Sequence, residues 1–401
     1  MTQKTPPDKS DPALSEEPLK EITRERLSET LGAALVAKEA VHPLSGVEEL
    51  VNTRIAPDDG WVWDKHCYGW YTPEDKTTPK VVVYVKLLHL TEKDGKIENS
   101  ALPGNIQDIL EEDVRRIEKP NAAIFYTITN ISKQDNQKPV APNRERPSSE
   151  QPKTDTQDPP QKPVAPGEKP ESPGEKLIKA VATHLQSQGI KCFSTLSPLR
   201  SGIVPDDTSN DKAQESTKSR ISGFSKWLSE FLTKEENTPV LTEEERKFLS
   251  EAMQGGSYDK LTKKEHKAVA PLMKRLAYHY ITNVKDVGGK NPKDPKDFVA
   301  RFHLGNGAEV ANIHYITPRK GATPSDKEGA YGIMVNYRYD LDKIDARKEA
   351  YKKRWEIAVD PKLERDYQKY IAQLKTPRVK VKSVIPDEKL RNTPPYEAYN
   401  R

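Results

Sequence analysis

The sequence predicts an α/β domain, a mixed sheet flanked by helices and interrupted by long polar segments. Three observations carry that prediction. Two nearly unbroken apolar runs, Val81–Leu88 and Ala122–Thr129, are rich in β-branched and aromatic residues and read as buried strands. Stretches with apolar residues at helical spacing lie between and beyond them, and strands alternating with helices indicate an α/β architecture. Finally, 34% of the 401 residues are hydrophobic, 31% are charged and 33 are prolines, so much of the chain lies outside any core.

Taken in order, residues 1–17 are Pro-rich and acid-bearing, unlike a signal or transit peptide. Residues 18–45 read as a helical segment, a helix over Leu19–Glu39 with Ile22, Leu27, Leu31 and Leu35 on its apolar side. Val41-His42-Pro43 ends it, because proline disfavours helix in the residue before it. Residues 46–134 hold the first half of the main domain. Here an aromatic stretch (Trp61, Trp63, Tyr68, Trp70, Tyr71) precedes the two buried strands, with a short helix through Ile106, Ile109 and Leu110 between them.

Residues 135–173 contain ten prolines and no aromatic residue, and the hexapeptide Gln-Lys-Pro-Val-Ala-Pro occurs twice, at 137–142 and 161–166. Such a segment buries too little apolar area to offset its ordering entropy, and reads as a disordered, partly polyproline-II spacer. Residues 174–199 resume the domain with a helix over Leu177–Gln186 and a strand over Cys192–Leu196. Ser172-Pro173-Gly174-Glu175 forms the helix entrance, with a capping box and proline at the first helical position. Residues 200–220 are a second polar insertion. Residues 221–345 complete the domain with helices over Phe224–Leu232, Thr242–Met253 and His266–Ile281, then strands over Phe298–Leu304 and Gly332–Tyr339. Residues 346–401 form a charged tail, helical over Ala346–Ile357, with an alternating stretch Arg378–Lys382 that reads as an edge strand or tail.

Several function classes are disfavoured. The net charge is only +4 and both signs are mixed, which argues against a dedicated nucleic-acid binder. Cys67 and Cys192 are too few and too isolated for a metal site or a disulfide framework, and read as reduced core residues. No apolar run reaches the roughly 20 residues of a membrane span. Without a targeting signal or a C-terminal Ser-Lys-Leu, the expected compartment is cytoplasmic.

A series of strings in fixed order resembles the malonyl-CoA decarboxylase family. Glu39–Pro43 is similar to the end of that family's helical linker, and Val81–Leu88 and Asn105–Leu110 to the start of its catalytic domain. Ala123–Asn130 is similar to its central strand, and Leu177-Ile178-Lys179 and Phe193–Pro198 continue the series. Ser222–Leu228 then resumes the motif interrupted by the second insertion, and Arg301–Ala308 and Gly332–Asp340 are similar to two C-terminal signatures. The resemblance implies an acetyltransferase-like (GNAT-like) fold and decarboxylation of malonyl-CoA to acetyl-CoA and CO2 in fatty-acid metabolism, without metal or organic cofactor. It also admits a homo-oligomer.

Losing CO2 from a malonyl thioester leaves an enolate, so the site needs donors at the thioester oxygen, a holder for the carboxylate and an acid for the carbon. The resemblance places the proton donor at His303 and the carboxylate-binding serine at Ser197. A rival register puts Ser219 in the serine's place. Asn306, Asn336, Tyr337 and Tyr339 are candidate donors or pocket walls, and Gly174 and Lys179 survive from the expected CoA-binding pattern. Where the family carries a Gln/Gly-rich phosphate loop, this chain carries its Pro-rich segment with Glu171 and Glu175, which predicts weakened CoA binding. Three readings follow: a decarboxylase, a catalytically degenerate member acting in binding or assembly, and an acetyltransferase on the same fold.

Overall fold

The computed structural model describes residues 18–38, 44–110, 113–131, 171–199, 201–202, 222–233, 240–253, 260–289, 291–317 and 331–375. Eight strands form one sheet: β1 (Leu19–Glu21), β2 (Lys65–Trp70), β3 (Val81–Leu88), β4 (Ala122–Asn130), β5 (Cys192–Thr195), β6 (Ser197–Pro198), β7 (Glu309–Tyr315) and β8 (Ile333–Tyr339). Their order is β1-β2-β3-β4-β5-β8-β7, with β6 also paired to β8. All neighbours are antiparallel except β4 and β5, which run parallel because a helix connects them. That pairing ends at Phe125↔Thr195, whereas β4 runs on to Asn130 with a strand partner only on its β3 side among the described residues.

The helices are α1 (Glu29–Lys38), α2 (Val47–Arg54), α3 (Gln107–Leu110), α4 (Pro173–Ser187), α5 (Phe224–Thr233), α6 (Glu243–Met253), α7 (Lys263–Asn283), α8 (Phe298–Gly305), α9 (Ile344–Arg354) and α10 (Pro361–Lys375). Strand alternation divides the core between the two faces of the sheet. On one face, Phe125, Val335, Tyr337 and Tyr339 pack with α4 to α10. On the other, Tyr84, Ile124, Tyr126 and Met334 pack with α1 to α3. Strand β3 is buried along all but its last residue, as its unbroken apolar run predicts.

Three expectations need correction. Phe298–Leu304 forms helix α8 rather than a strand. Its aromatic and β-branched content favours a strand, but local end signals and burial decide otherwise. The Asp297 carboxylate accepts from the Ala300 amide at 2.7 Å, and Ala300, His303 and Leu304 turn inward at helical spacing. The expected helix over Leu19–Glu39 is only α1, because Leu19–Glu21 pairs with β2 and Ser28 starts the helix by accepting from the Leu31 amide at 3.2 Å. Strands β2 and β7 and helices α2 and α10 have no counterpart among the elements expected from the sequence. The helix expected over Ala346–Ile357 stops at Arg354, where Trp355 takes a left-handed φ of 59°. Val41-His42-Pro43, most of the Pro-rich segment, Ser219 and the Arg378–Lys382 alternation lie outside the described residues.

Candidate active site

Ser197 and His303 face one another from different elements. Ser197 lies on β6, which pairs with β8 through Val335↔Ser197. His303 lies in the last turn of α8. That helix ends in a Schellman motif, with the Ala308 amide donating to the His303 carbonyl and the Gly307 amide to that of Leu304. Gly307 has a φ of +83°, and a Cβ there would come within 2.4 Å of the Ile344 carbonyl oxygen. Both features require glycine. The His-Leu-Gly-Asn-Gly-Ala string is therefore a helix ending that points the imidazole at the sheet.

His303 Nε2 lies 3.4 Å from Ser197 Oγ, and Nδ1 lies 2.8 Å from the Tyr339 hydroxyl. The imidazole stacks on the Tyr337 ring at 4.7 Å and is only 4% exposed. Burial lowers the His303 pKa to about 3, so it is neutral near pH 7. Burial, then the Glu175 charge, pushes the Tyr339 hydroxyl upward, so it keeps its proton. Ser197 Oγ donates to Thr195 Oγ1 at 3.2 Å, and that oxygen also accepts from the Tyr337 amide at 3.2 Å. One tautomer satisfies the whole set: Tyr339 donates to Nδ1, Nε2–H donates to Ser197, and Ser197 donates to Thr195.

The remaining candidate residues divide. Asn306 follows α8 as its C-cap, and its side-chain nitrogen is buried without a hydrogen-bond partner. Asn306, Tyr339 and Lys179 line one cleft with Glu171, Glu175, Ile178, Leu341, Ile344 and Lys348. Gly174, in the first turn of α4, would present a Cβ 3.7 Å from Phe302, the residue beside His303. The Tyr337 ring supports His303, but its hydroxyl is buried and unpartnered. Asn336 is not with them. Its side chain lies on the opposite face of the sheet, where it donates to the Pro103 and Thr195 carbonyls and bonds His314 at 2.7 Å. Adjacent residues in a strand point to opposite faces, so Asn336 cannot share a face with Tyr337.

At the start of α4, the Ser172 hydroxyl accepts from the Glu175 amide at 3.2 Å, as the capping box predicts. The Glu175 carboxylate, however, bonds the Lys348 ammonium on α9, which also donates to Glu171 at 3.2 Å. Burial alone would lower the Lys348 pKa, but the hydrogen bonds to Glu175 and Glu171 outweigh it and raise it. Nothing in the sequence distinguishes Lys348 from the neighbouring lysines of its highly charged helix. Among the described residues, no group of His, Cys, Asp and Glu could hold a metal, and no helix is long and apolar enough to cross a membrane.

The profile of the malonyl-CoA decarboxylase C-terminal domain matches residues 19–136 and 206–378, well over half of the chain. The chain belongs to the malonyl-CoA decarboxylase family. Among solved structures, malonyl-CoA decarboxylase from Agrobacterium vitis is similar at 26% identity and a TM-score of 0.57, over 87% of this chain and 66% of that one. The enzyme from Rhodopseudomonas palustris shares the fold at 24% identity and a TM-score of 0.57, over 86% of this chain and 65% of that one. The chain thus spans just under two thirds of these relatives. No curated protein matches it. His303 lies within the second matched stretch, whereas α4, β5 and Ser197 fall between the two. Within this family member, Ser197 is tied to the site by its contact with His303.

Proposed function

We propose that this family member is a carboxy-lyase that converts malonyl-CoA to acetyl-CoA and CO2, as part of fatty-acid metabolism. The observation that carries the reading is the Ser197–His303–Tyr339 chain, buried at His303 and Tyr339, beside the cleft that Tyr339 lines. The Ser197 hydroxyl holds the malonyl carboxylate. The bond between that carboxylate and the α-carbon breaks, CO2 leaves, and the electron pair enters the thioester as an enolate. The enolate carbon then takes the Nε2 proton of neutral His303, and water restores the imidazole, so one proton is consumed per turnover. A neutral imidazole is an effective donor to a developing enolate when its site is dry. Tyr339 fixes the tautomer by donating to Nδ1. Asn306 lines the cleft with a buried, unpaired side-chain nitrogen just behind its wall, and a small rotation makes it a donor to the thioester oxygen. None of these steps uses a metal or an organic cofactor.

The parallel β4–β5 pair, joined through α4 and separating beyond Phe125, supports an acetyltransferase-like (GNAT-like) reading of the sheet, with the acyl-CoA entering at the opening. The expected setting is the cytoplasm, and a homo-oligomer is compatible with the family. The carboxylates of Glu171 and Glu175 at the start of α4 favour a second reading, a non-catalytic member that keeps the fold for binding or assembly. The deciding assay is CO2 release from radiolabelled malonyl-CoA. The intact chain should exceed His303→Ala by roughly 10² to 10⁴-fold, the range of a general acid. Equal release from both would sink the decarboxylase reading.

A further inference from the structure

The cleft beside Tyr339 lies between α4 and α9, and its charged lining is unusual for one meant to admit a phosphate-bearing ligand. The lining includes two cations, Lys179 and Lys348, and three carboxylates, Glu171, Glu175 and Asp345. By formal charge the acids outnumber the lysines by one, so an incoming polyanion meets net repulsion. The arrangement is also built rather than incidental. Lys348 is only 18% exposed, with Glu175 at 15%, and it is held from two sides by carboxylates from a single segment. Those two carboxylates occupy the first turn of α4 and the residues before it, where backbone amides and the helix dipole favour negative charge. A ligand phosphate entering there would find both favourable partners, the helix start and Lys348, already engaged.

We propose that Glu171 and Glu175 set this chain's affinity for phosphate-bearing acyl thioesters by competing with the ligand phosphates for Lys348. The inference rests on the acyl-CoA reading above and adds to it a determinant specific to this chain. Lys348 closes onto the start of α4 through these two pairs. When a polyanion arrives, Lys348 exchanges its carboxylate partners for phosphate oxygens, and the freed carboxylates turn to solvent. The affinity observed is therefore the phosphate–Lys348 interaction less the cost of opening the clamp.

The test uses the full chain and coenzyme A itself, titrated by calorimetry at low salt. Glu171→Gln with Glu175→Gln keeps size and hydrogen bonding but removes both competing charges, and should tighten CoA roughly tenfold; Lys348→Met should weaken it by a similar factor. Raising salt should erode the gain, since it screens the freed lysine. If the double variant does not fold, Glu171→Gln alone, at the more exposed carboxylate, should still shift affinity in the same direction. The proposal is overturned if the folded glutamine variants bind CoA no more tightly than the parent, or if Lys348→Met binds it equally well. The two readings part in a clear way. CO2 release with CoA affinity unmoved by the glutamines removes the clamp and leaves the decarboxylase. Tightened CoA binding without CO2 release does the opposite, and no CoA binding by parent or variants removes the clamp as well.

Discussion

The His303 hydrogen-bond chain and the α4 cleft that Tyr339 lines form two ends of one region, built on different electrostatic principles. At the His303 end, every group is neutral and linked by hydrogen bonds in one direction, with His303 and Tyr339 buried and Ser197 half-buried. Burial lowers the imidazole pKa and raises that of the Tyr339 hydroxyl. At the α4 end, the groups are charged, partly exposed and paired across two helices. Polar groups in a dry environment are strong and geometrically fixed, whereas ion pairs near solvent are weaker and exchangeable. The His303 chain is therefore held in one geometry, whereas the ion pairs of Lys348 with Glu171 and Glu175 can exchange partners.

The largest effect is expected from removing a hydroxyl at the neutral end. Ser197→Ala and Tyr339→Phe should each lower the rate of CO2 release by about tenfold to a hundredfold, the first through the carboxylate contact and the second through the tautomer. Steady-state kinetics should place the Tyr339→Phe loss in kcat rather than KM, because Tyr339 acts through His303. If the loss falls entirely in KM, Tyr339 is a wall of the cleft and the directed chain is wrong.

A smaller effect concerns how the site is held. Gly307→Ala places a Cβ against the Ile344 carbonyl at a positive φ, and should cost about 2 to 4 kcal/mol by chemical denaturation. Because Gly307 closes the turn behind His303, the surviving folded fraction should also be less active. A neutral substitution would mean that the α8 ending is pliable and does not aim the imidazole.

Next in size is the response to acid. His303 has its pKa lowered to about 3 and His279 to about 4, both by burial. In the unfolded chain both titrate near 6.5, so below that pH the unfolded state binds more protons. Stability should therefore be full above about pH 6.5 and fall as pH drops toward 4, by at most about 1.4 kcal/mol per unit for each histidine. Activity of the folded protein should stay flat from about pH 5.5 to 8, because His303 does not titrate there. Denaturant midpoints and kcat followed over the same pH range check both halves.

How much of this was legible in the sequence depends on what kind of signal each feature leaves. Strands β3 and β4 were plain because burial on both faces leaves unbroken apolar runs. Strand β7, Glu309–Tyr315, was hidden because its polar residues Asn312 and His314 are matched by partners inside the fold rather than by water. Helix α8 resembles a strand in composition, while the features that decide it, an aspartate before it and a glycine after, are short-range. Ser197 and His303 were legible only through the resemblance, since a Ser-Pro pair and a lone histidine carry no distinctive spacing. Asn336 could have been separated from Tyr337 and Tyr339 by strand alternation alone. The Lys348 clamp joins residues 173 positions apart, and no local pattern announces such a pairing.

The smallest effect separates the two tyrosines that flank this alternation. Tyr337 and Tyr339 lie on the same face of β8 and both contact His303. The Tyr339 hydroxyl bonds Nδ1, whereas that of Tyr337 is buried without a partner. An unsatisfied buried hydroxyl costs free energy, while the ring that carries it still supplies packing and its stack on the imidazole. Tyr337→Phe should keep the stack and remove the penalty, raising stability by up to about 1 kcal/mol. Thermal and urea unfolding of the variant would measure this. A loss instead of a gain would mean that the Tyr337 hydroxyl is bonded in solution, and the neutral end would then hold a second polar anchor beneath the imidazole.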